Sequence, residues 1–361
     1  MRRDFHKHPE LGYQEVRTSG IVAEKMAKLG YEVRRNVGKT GVLAQRGREG
    51  RTLLLRADMD ALPVWEENDV EYRSTNDGVM HACGHDGHMS IALMAAARLA
   101  GASFPGRVRF AFQPAEEGGQ GADRMIEEGA LDDVDAAIGL HLWSHIPIGK
   151  IGITIGPAMA SVDEFTLEVR GHGCHAAMPH EGIDPIVTGT QIVQEFQAIV
   201  SRGVSPLESA VVSVTKFHAG SAFNVIPERA ELSGTVRTFS ESVRDHVHER
   251  MRKIVGDRGK IDIVKKTRVL VNDAKISAVV HRAATEVVGE ENILHDQRTM
   301  GGEDFSSFLA AVPGCFFFVG AAPHPNAEPH HSPRFNIDER AMALGLEVMT
   351  RAAQLYWKTN A

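Results

Sequence analysis

Cysteine is scarce in this chain: three in 361 residues, at Cys83, Cys174 and Cys315. An odd number at wide spacings builds no disulfide framework and suits a reducing compartment, so a cysteine that matters here acts as a thiolate. Long apolar runs are missing too. The longest nearly uninterrupted one, Ile91 to Ala100, spans ten residues and contains Arg98, whereas a membrane-crossing helix needs about twenty apolar residues. Nor is there a basic excess. Forty Lys and Arg against 47 Asp and Glu leave a net charge of −7, which argues against nucleic acid as a partner. The basic start, MRRDFHKHPELG, is followed by no apolar stretch, so it does not read as a secretory signal and a cytoplasmic location is expected. What the chain does have is core material: 43% of its residues are hydrophobic, ample for the two domains that roughly 150 residues per domain would give.

Several segments share one grammar, a short apolar run followed by a polar loop and then apolar positions at helical spacing, which predicts a parallel sheet of βαβ units. Thr52–Arg56, Val108–Phe112, Ala136–Leu140 and Cys315–Val319 read as strands, the TLLLR and CFFFV runs as buried on both faces. From about Glu164 to Val269 the order changes to strand, helix, strand, strand, helix, strand, the split βαββαβ or ferredoxin-like arrangement. Strands there alternate, as in Phe165, Leu167 and Val169. The expected fold is therefore α/β: a doubly wound, mostly parallel sheet domain over residues 1–157 and 273–361, with a ferredoxin-like domain inserted at 158–272. The junctions fall at Gly156–Pro157 and Asn272–Asp273.

In an open parallel sheet, ligands bind at the carboxyl ends of the strands. There the sequence places Asp58 and Asp60, Glu116 and Glu117, His141, and a loop with His324, His330 and His331. A further loop, His81-Ala82-Cys83-Gly84-His85-Asp86-Gly87-His88, precedes an apolar helix. In an extended segment Cys83 and His85 point the same way and can grip one ion. Thiolate, imidazole and carboxylate together suit zinc, with manganese, cobalt or nickel as alternatives. Plainer roles exist for the neighbours: Asp86 as a helix cap or a group behind the ligands, His81 and His88 as structural histidines. Adjacent acids ending a buried strand, as at Glu116-Glu117, are costly unless something positive sits between them.

The segments RADMDALP, HACGHDGHM, FQPAEEGGQGA, GLHL, GCHAAMPH, FNVIPE, GTVRTF, GGEDF and HHSPRF resemble, in order and spacing, the amidohydrolase branch of the aminoacylase/carboxypeptidase metallopeptidase family. That branch includes hippurate hydrolases, N-acyl-amino-acid amidohydrolases and indoleacetyl-amino-acid hydrolases. The resemblance implies that Cys83, His85, Glu117, His141 and His331 bind two divalent metal ions per subunit, that Glu116 is the general base and that Asp60 orients a ligating histidine. It further implies that His175 reaches the active site of another subunit, hence a homodimer through the inserted domain, or a tetramer built on it. Where the wider family has His-x-Asp this chain has Asp58-Met59-Asp60, so Cys83 takes over coordination from Asp58. His330 competes with His331, which has the matching register. The abrupt start at the RRDFHKHPELG motif implies that a few residues precede it.

The expected reaction is hydrolysis of an N-acyl amino acid, a small-molecule substrate, by a metal-activated water with Glu116 as base and His175 facing the developing oxyanion. Arg237, Asn224 and the backbone N–H groups of Gly301 and Gly302 are candidates for the substrate carboxylate. A dipeptidase or carboxypeptidase of the same family and a non-catalytic metal-dependent binding protein are the alternatives. A cysteine hydrolase built on Cys83 is another rival. A dinucleotide enzyme is disfavoured because Gly118-Gly119-Gln120-Gly121 lacks the G-x-G-x-x-G fingerprint and the two adjacent glutamates would repel a pyrophosphate.

Overall fold

A computed structural model describes residues 1–359, and the chain divides into two compact units. The larger comprises Met1–Ala158, Val271–Arg298 and the residues from Asp304 onward; the smaller comprises Met159–Leu270 and the short return Thr299–Glu303.

The larger unit is built on an eight-stranded sheet in the order Glu32–Val37, Gly41–Gly47, Arg107–Gln113, Thr52–Asp58, Ala136–Pro147, Gly314–Ala322, Ile151–Ile153, Ile293–His295. The four strands expected from apolar runs lie side by side at its centre and pair in parallel. Every residue of Thr52–Asp58 is buried, which requires cover on both faces and explains the uninterrupted TLLLR run. Antiparallel pairing enters toward the edges, at Gly41–Gly47 with Arg107–Gln113 and at Gly314–Ala322 with Ile151–Ile153. The helix His85–Ala100 is buried on most of its circumference, through Met89, Ile91, Ala92, Ala95, Ala96 and Leu99. It starts at Gly84, whose φ of +93° lies in the left-handed region that favours glycine. Among the described residues no helix is long and apolar enough to cross a membrane.

The smaller unit contains a four-stranded antiparallel sheet in the order Ala210–Ala219, Arg229–Thr238, Ser161–Arg170, Gly259–Thr267. Helices Pro185–Ala198 and Glu241–Val255 complete the βαββαβ order. Asp184 caps the first by accepting from the N–H groups of Ile186 and Val187, with Pro185 at its first turn. Along Ser161–Arg170 burial alternates, so Phe165, Leu167 and Val169 meet Ile192, Phe196, Val247 and Met251 in one core.

Candidate metal centre

Strand ends and one helix start bring the donors of the larger unit together. Cys83 and His85 flank the left-handed Gly84. Glu116 and Glu117 follow Ala115, a non-glycine residue at φ +49°, and His331 itself sits at φ +69°. Such conformations cost about 1–3 kcal/mol each and persist where surroundings impose them. Here the Ala115 N–H donates to Glu15 Oε1 at 2.9 Å, and the His331 N–H donates to the Ala82 carbonyl at 2.8 Å, tying the last loop to the Cys83 loop.

The donor atoms fall into overlapping triplets. Those of Cys83, His85 and His141 lie within 4.8 Å of one another, as do those of Cys83, Glu117 and His331 and those of His85, Glu116 and Glu117. Cys83 Sγ is 3.4 Å from His141 Nε2, and His331 Nε2 is 3.2 Å from Glu117 Oε1.

The ring orientations suit ligation. A carbonyl only accepts, so His85 Nδ1–H donates to the Asp60 carbonyl at 2.8 Å and His141 Nδ1–H to the Leu142 carbonyl at 2.8 Å. In both rings Nε2 faces the cluster. His85 Nε2 and Glu117 Oε1 are buried polar atoms without a hydrogen-bond partner, which native structures rarely tolerate unless something else satisfies them. Asp60 connects the two, with Oδ1 3.4 Å from His85 Nδ1 and Oδ2 accepting the Glu117 N–H at 2.9 Å.

The electrostatics agree. Burial works against a charged His85, but Asp58 and Asp60 outweigh it and push its pKa up to about 10. An environment that holds a proton so firmly also favours a divalent cation at the same Nε2. Burial, then the charges of Glu117 and Glu116, push the Cys83 thiol well above its ordinary pKa, so no thiolate forms there unaided and a cysteine nucleophile is disfavoured. His141 is neutral, its pKa lowered by burial and by His88 and His330, as ligation requires. The mixed thiol, imidazole and carboxylate set, with orphaned acceptors aimed into one space, fits a pair of divalent cations.

Residues left open by sequence take definite places. Asp58 is fully committed: Oδ2 lies 2.6 Å from Arg56 Nη1, and Oδ1 lies 2.7 Å from His88 Nδ1. His88 in turn accepts the Leu142 N–H on Nε2 at 2.9 Å. His330 accepts the Ser144 N–H on Nε2 at 3.1 Å and turns Nδ1 toward Cys83 Sγ at 3.8 Å, while His331 presents Nε2 to Glu117 Oε1 at 3.2 Å. Asp86 does not cap the helix in the ordinary way. Its Oδ2 meets Arg2 Nε at 2.7 Å and His6 Nδ1 at 2.8 Å, and His6 Nε2 reaches Glu66 at 3.1 Å. Sequence reasoning missed Arg2, His6, Glu66 and Arg56; only for Arg56, a charge inside the apolar TLLLR run, was there a signal.

The remaining candidates lie in the smaller unit. His175 is exposed on the two-residue strand Cys174–His175, and its Nδ1 accepts the Ala177 N–H at 3.1 Å. Asn224 accepts the Ala176 N–H on its backbone carbonyl at 3.0 Å. Arg237 is half-buried, with Nε on Thr235 Oγ1 at 3.0 Å and Nη1 on the Met300 carbonyl at 3.3 Å. The Gly301 N–H is already spent on Thr299 Oγ1 at 3.1 Å, and Gly302 allows close approach to Val162, which a Cβ would strike.

A model of peptidase family M20/M25/M40 matches residues 54–355. Among curated proteins the chain is 40% identical over 353 residues to an N-acetyl-L-cysteine deacetylase of Bacillus subtilis, covering 95% of this chain and 84% of that protein. It is 48% identical over 260 residues to an N-acyl-L-amino acid amidohydrolase of Geobacillus stearothermophilus, 70% of each. A solved Bacillus subtilis structure described as a dinuclear metal binding peptidase from the M20 family superposes with a TM-score of 0.88 at 35% identity, covering 99% of this chain and 97% of that one.

Proposed function

The chain belongs to peptidase family M20/M25/M40, and from that premise we propose that it is a metal-dependent hydrolase that splits the amide bond of N-acyl amino acids into a carboxylate and a free amino acid. One observation carries the reading: donors from separate loops converge on one space in which the buried His85 Nε2 and Glu117 Oε1 make no hydrogen bond. Cys83, His85, Glu117, His141 and His331 would hold two divalent ions, with zinc, manganese, cobalt or nickel as the chemical candidates. When bound, such ions polarise the acyl carbonyl and acidify water.

Glu116, whose carboxylate oxygen lies within 4.8 Å of His85 and Glu117 donor atoms, takes the proton of the attacking water. The water oxygen bonds to the acyl carbon, the C–N bond breaks, and Glu116 returns its proton to the departing amine nitrogen. Asp60 fixes His85 and the Glu117 backbone during these transfers. The oxyanion is assigned to His175 of the partner subunit, in a homodimer, and the substrate's α-carboxylate to Arg237 and Asn224. We place the protein in the cytoplasm on its scarce cysteines, which suit a reducing compartment.

Glu116→Gln tests the base. It should retain the metal content of the parent and lose about 10²–10⁴-fold in turnover; parent-like turnover removes Glu116 from this role. The substrate panel is N-acetyl, N-benzoyl and N-indoleacetyl amino acids with added zinc, manganese, cobalt or nickel. Unblocked dipeptides form a separate arm, and preference for them would favour a dipeptidase. Mixing Glu116→Gln with His175→Ala subunits should restore activity, and no recovery after demonstrated subunit exchange refutes a shared site.

A further inference from the structure

A second gathering of ligand-type side chains lies in the larger unit, in segments apart from the Cys83 cluster. His281 and Thr285 stand four residues apart on helix Ala274–Val288 and so share a face. The chain leaves that helix through Gly289 at φ +83°, makes one turn over Glu290–Asn292 and enters strand Ile293–His295. This path returns His295 to the helix face. His281 Nε2 is 3.2 Å from Glu290 Oε1, and His295 Nε2 is 3.3 Å from the same oxygen. All three donor atoms lie within 4.8 Å of one another. The other carboxylate oxygen, Oε2, accepts the Thr285 hydroxyl at 2.8 Å, which leaves Oε1 aimed between the rings.

The His281–Glu290 contact at 3.2 Å is a hydrogen bond, at the long end of the usual range of about 2.7–3.2 Å. Two ligands held tetrahedrally at zinc distances of about 2.0–2.1 Å stand about 3.3 Å apart, so the same spacing also admits an ion. Two imidazoles and one carboxylate held by a hydroxyl behind it are also the donor chemistry and the outer support of a transition-metal site.

We propose that His281, Glu290 and His295 form a peripheral site for one zinc-type divalent ion, independent of the hydrolytic centre, which staples the end of helix Ala274–Val288 to strand Ile293–His295. Side-chain exposures of 34%, 56% and 65% leave the fourth position to solvent and set the affinity in a micromolar rather than a nanomolar range.

The test uses full-length, tag-free protein stripped with chelator and equilibrated with zinc alone at graded free concentrations, with bound zinc counted after gel filtration. The parent should bind one equivalent more than His281→Ala/His295→Ala. Glu290→Gln, which keeps a carbonyl oxygen to accept the same hydrogen bonds but loses the charge, should weaken that equivalent at least tenfold. Zinc should also raise the thermal midpoint of the parent above that of the double variant, with hydrolytic activity unaffected by the surface substitutions. Equal zinc counts in parent and double variant up to about 100 μM, or parent-like binding by Glu290→Gln, overturn the site. Because the count is a difference between proteins sharing one hydrolytic centre, failure of that centre to bind zinc lowers both totals and leaves the difference readable.

Discussion

Replacing Arg56 with methionine removes the only charge from the TLLLR run while keeping a similar apolar volume beside Phe305, whose ring centre is 5.7 Å from the guanidinium. Arg56 is 1% exposed, with Nη1 2.6 Å from Asp58 Oδ2, Nη2 3.2 Å from Asp304 Oδ1 and Nε donating to Gln113 Oε1 at 2.8 Å. Deleting one partner of a buried ion pair costs about 3–5 kcal/mol, because the remaining charge stays buried. Two features moderate the loss. Asp58 keeps His88 at 2.7 Å, and Asp304 keeps the Gln113 amide at 2.7 Å and the Ala122 N–H at 3.0 Å. The lower end, about 3 kcal/mol, is therefore expected at pH 7.

Urea unfolding of the full chain, followed by tryptophan fluorescence, measures it. Acid gives a second reading of the same cause. Burial opposes ionisation of Asp58, but His85, Arg56 and His88 hold its pKa well below the ordinary value. A depressed folded pKa contributes stability above the unfolded value of about 3.9, lost as pH falls through the folded one. Without Arg56 the carboxylate accepts a proton at higher pH, so the gap between parent and Arg56→Met should narrow on acidification. A loss below about 1 kcal/mol at pH 7, or a gap independent of pH, would refute the assignment of Arg56 as the counter-charge of the strand end.

In the smaller unit, burial opposes ionisation of Asp163, but His248 and Arg244 lower its pKa; His248 Nε2 lies 2.6 Å from Oδ2 and Arg244 Nε 3.0 Å from both oxygens. By the same sign its stabilisation is present above about pH 4 and lost below, so the urea curves of Asp163→Asn and parent should converge on acidification; parallel curves from pH 7 to 3 contradict this. Gly121 begins a short helix directly after the Glu116-Glu117 turn, and a Cβ there would overlap the backbone carbonyl oxygen of Pro114. Gly121→Ala should lower the thermal midpoint by several degrees, as a few kcal/mol of strain implies, and an unchanged midpoint shows that the turn relaxes.

Strands buried on both faces announce themselves as continuous apolar runs, which is why Thr52–Asp58, Arg107–Gln113, Ala136–Pro147 and Gly314–Ala322 could be read before any coordinates. Glu32–Val37 is mostly exposed, and its sequence EVRRNV carries three charges; Ile151–Ile153 and Ile293–His295 are three residues each. Neither kind leaves a periodic signal, because the first is stabilised by its neighbour's backbone and the others are too short to alternate. That donors carried by strand ends gather on one side was legible because topology fixes where a strand end goes. Between His330 and His331 the sequence offers only register, which favours His331; the structure puts His330 Nε2 on the Ser144 N–H and His331 Nε2 beside Glu117. The Arg2–His6–Asp86–Glu66 group escaped notice for another reason: two of its members belong to a charged amino-terminal segment that looks solvent-facing, yet Arg2 and His6 are 3% and 1% exposed.

Asp58 shows how a departure at one position fits its surroundings. A carboxylate at the end of a fully buried strand needs positive charge or hydrogen bonds on each oxygen. Arg56, two residues earlier on the same face, supplies one oxygen, and His88 from helix His85–Ala100 supplies the other. Asp58 Oδ2 remains 3.6 Å from His85 Nε2, so its charge acts on that ring without an oxygen left over for a further ligand. In the adjacent loop, Cys83 Sγ lies 3.4 Å from His141 Nε2. The side chains at 56, 58, 83 and 88 thus form one physical unit. Substituting histidine at 58 alone would leave Arg56 without its nearer carboxylate and His88 without its acceptor, and would add a fourth imidazole beside His85, His88 and His141. A working exchange at 58 therefore has to alter Arg56 as well.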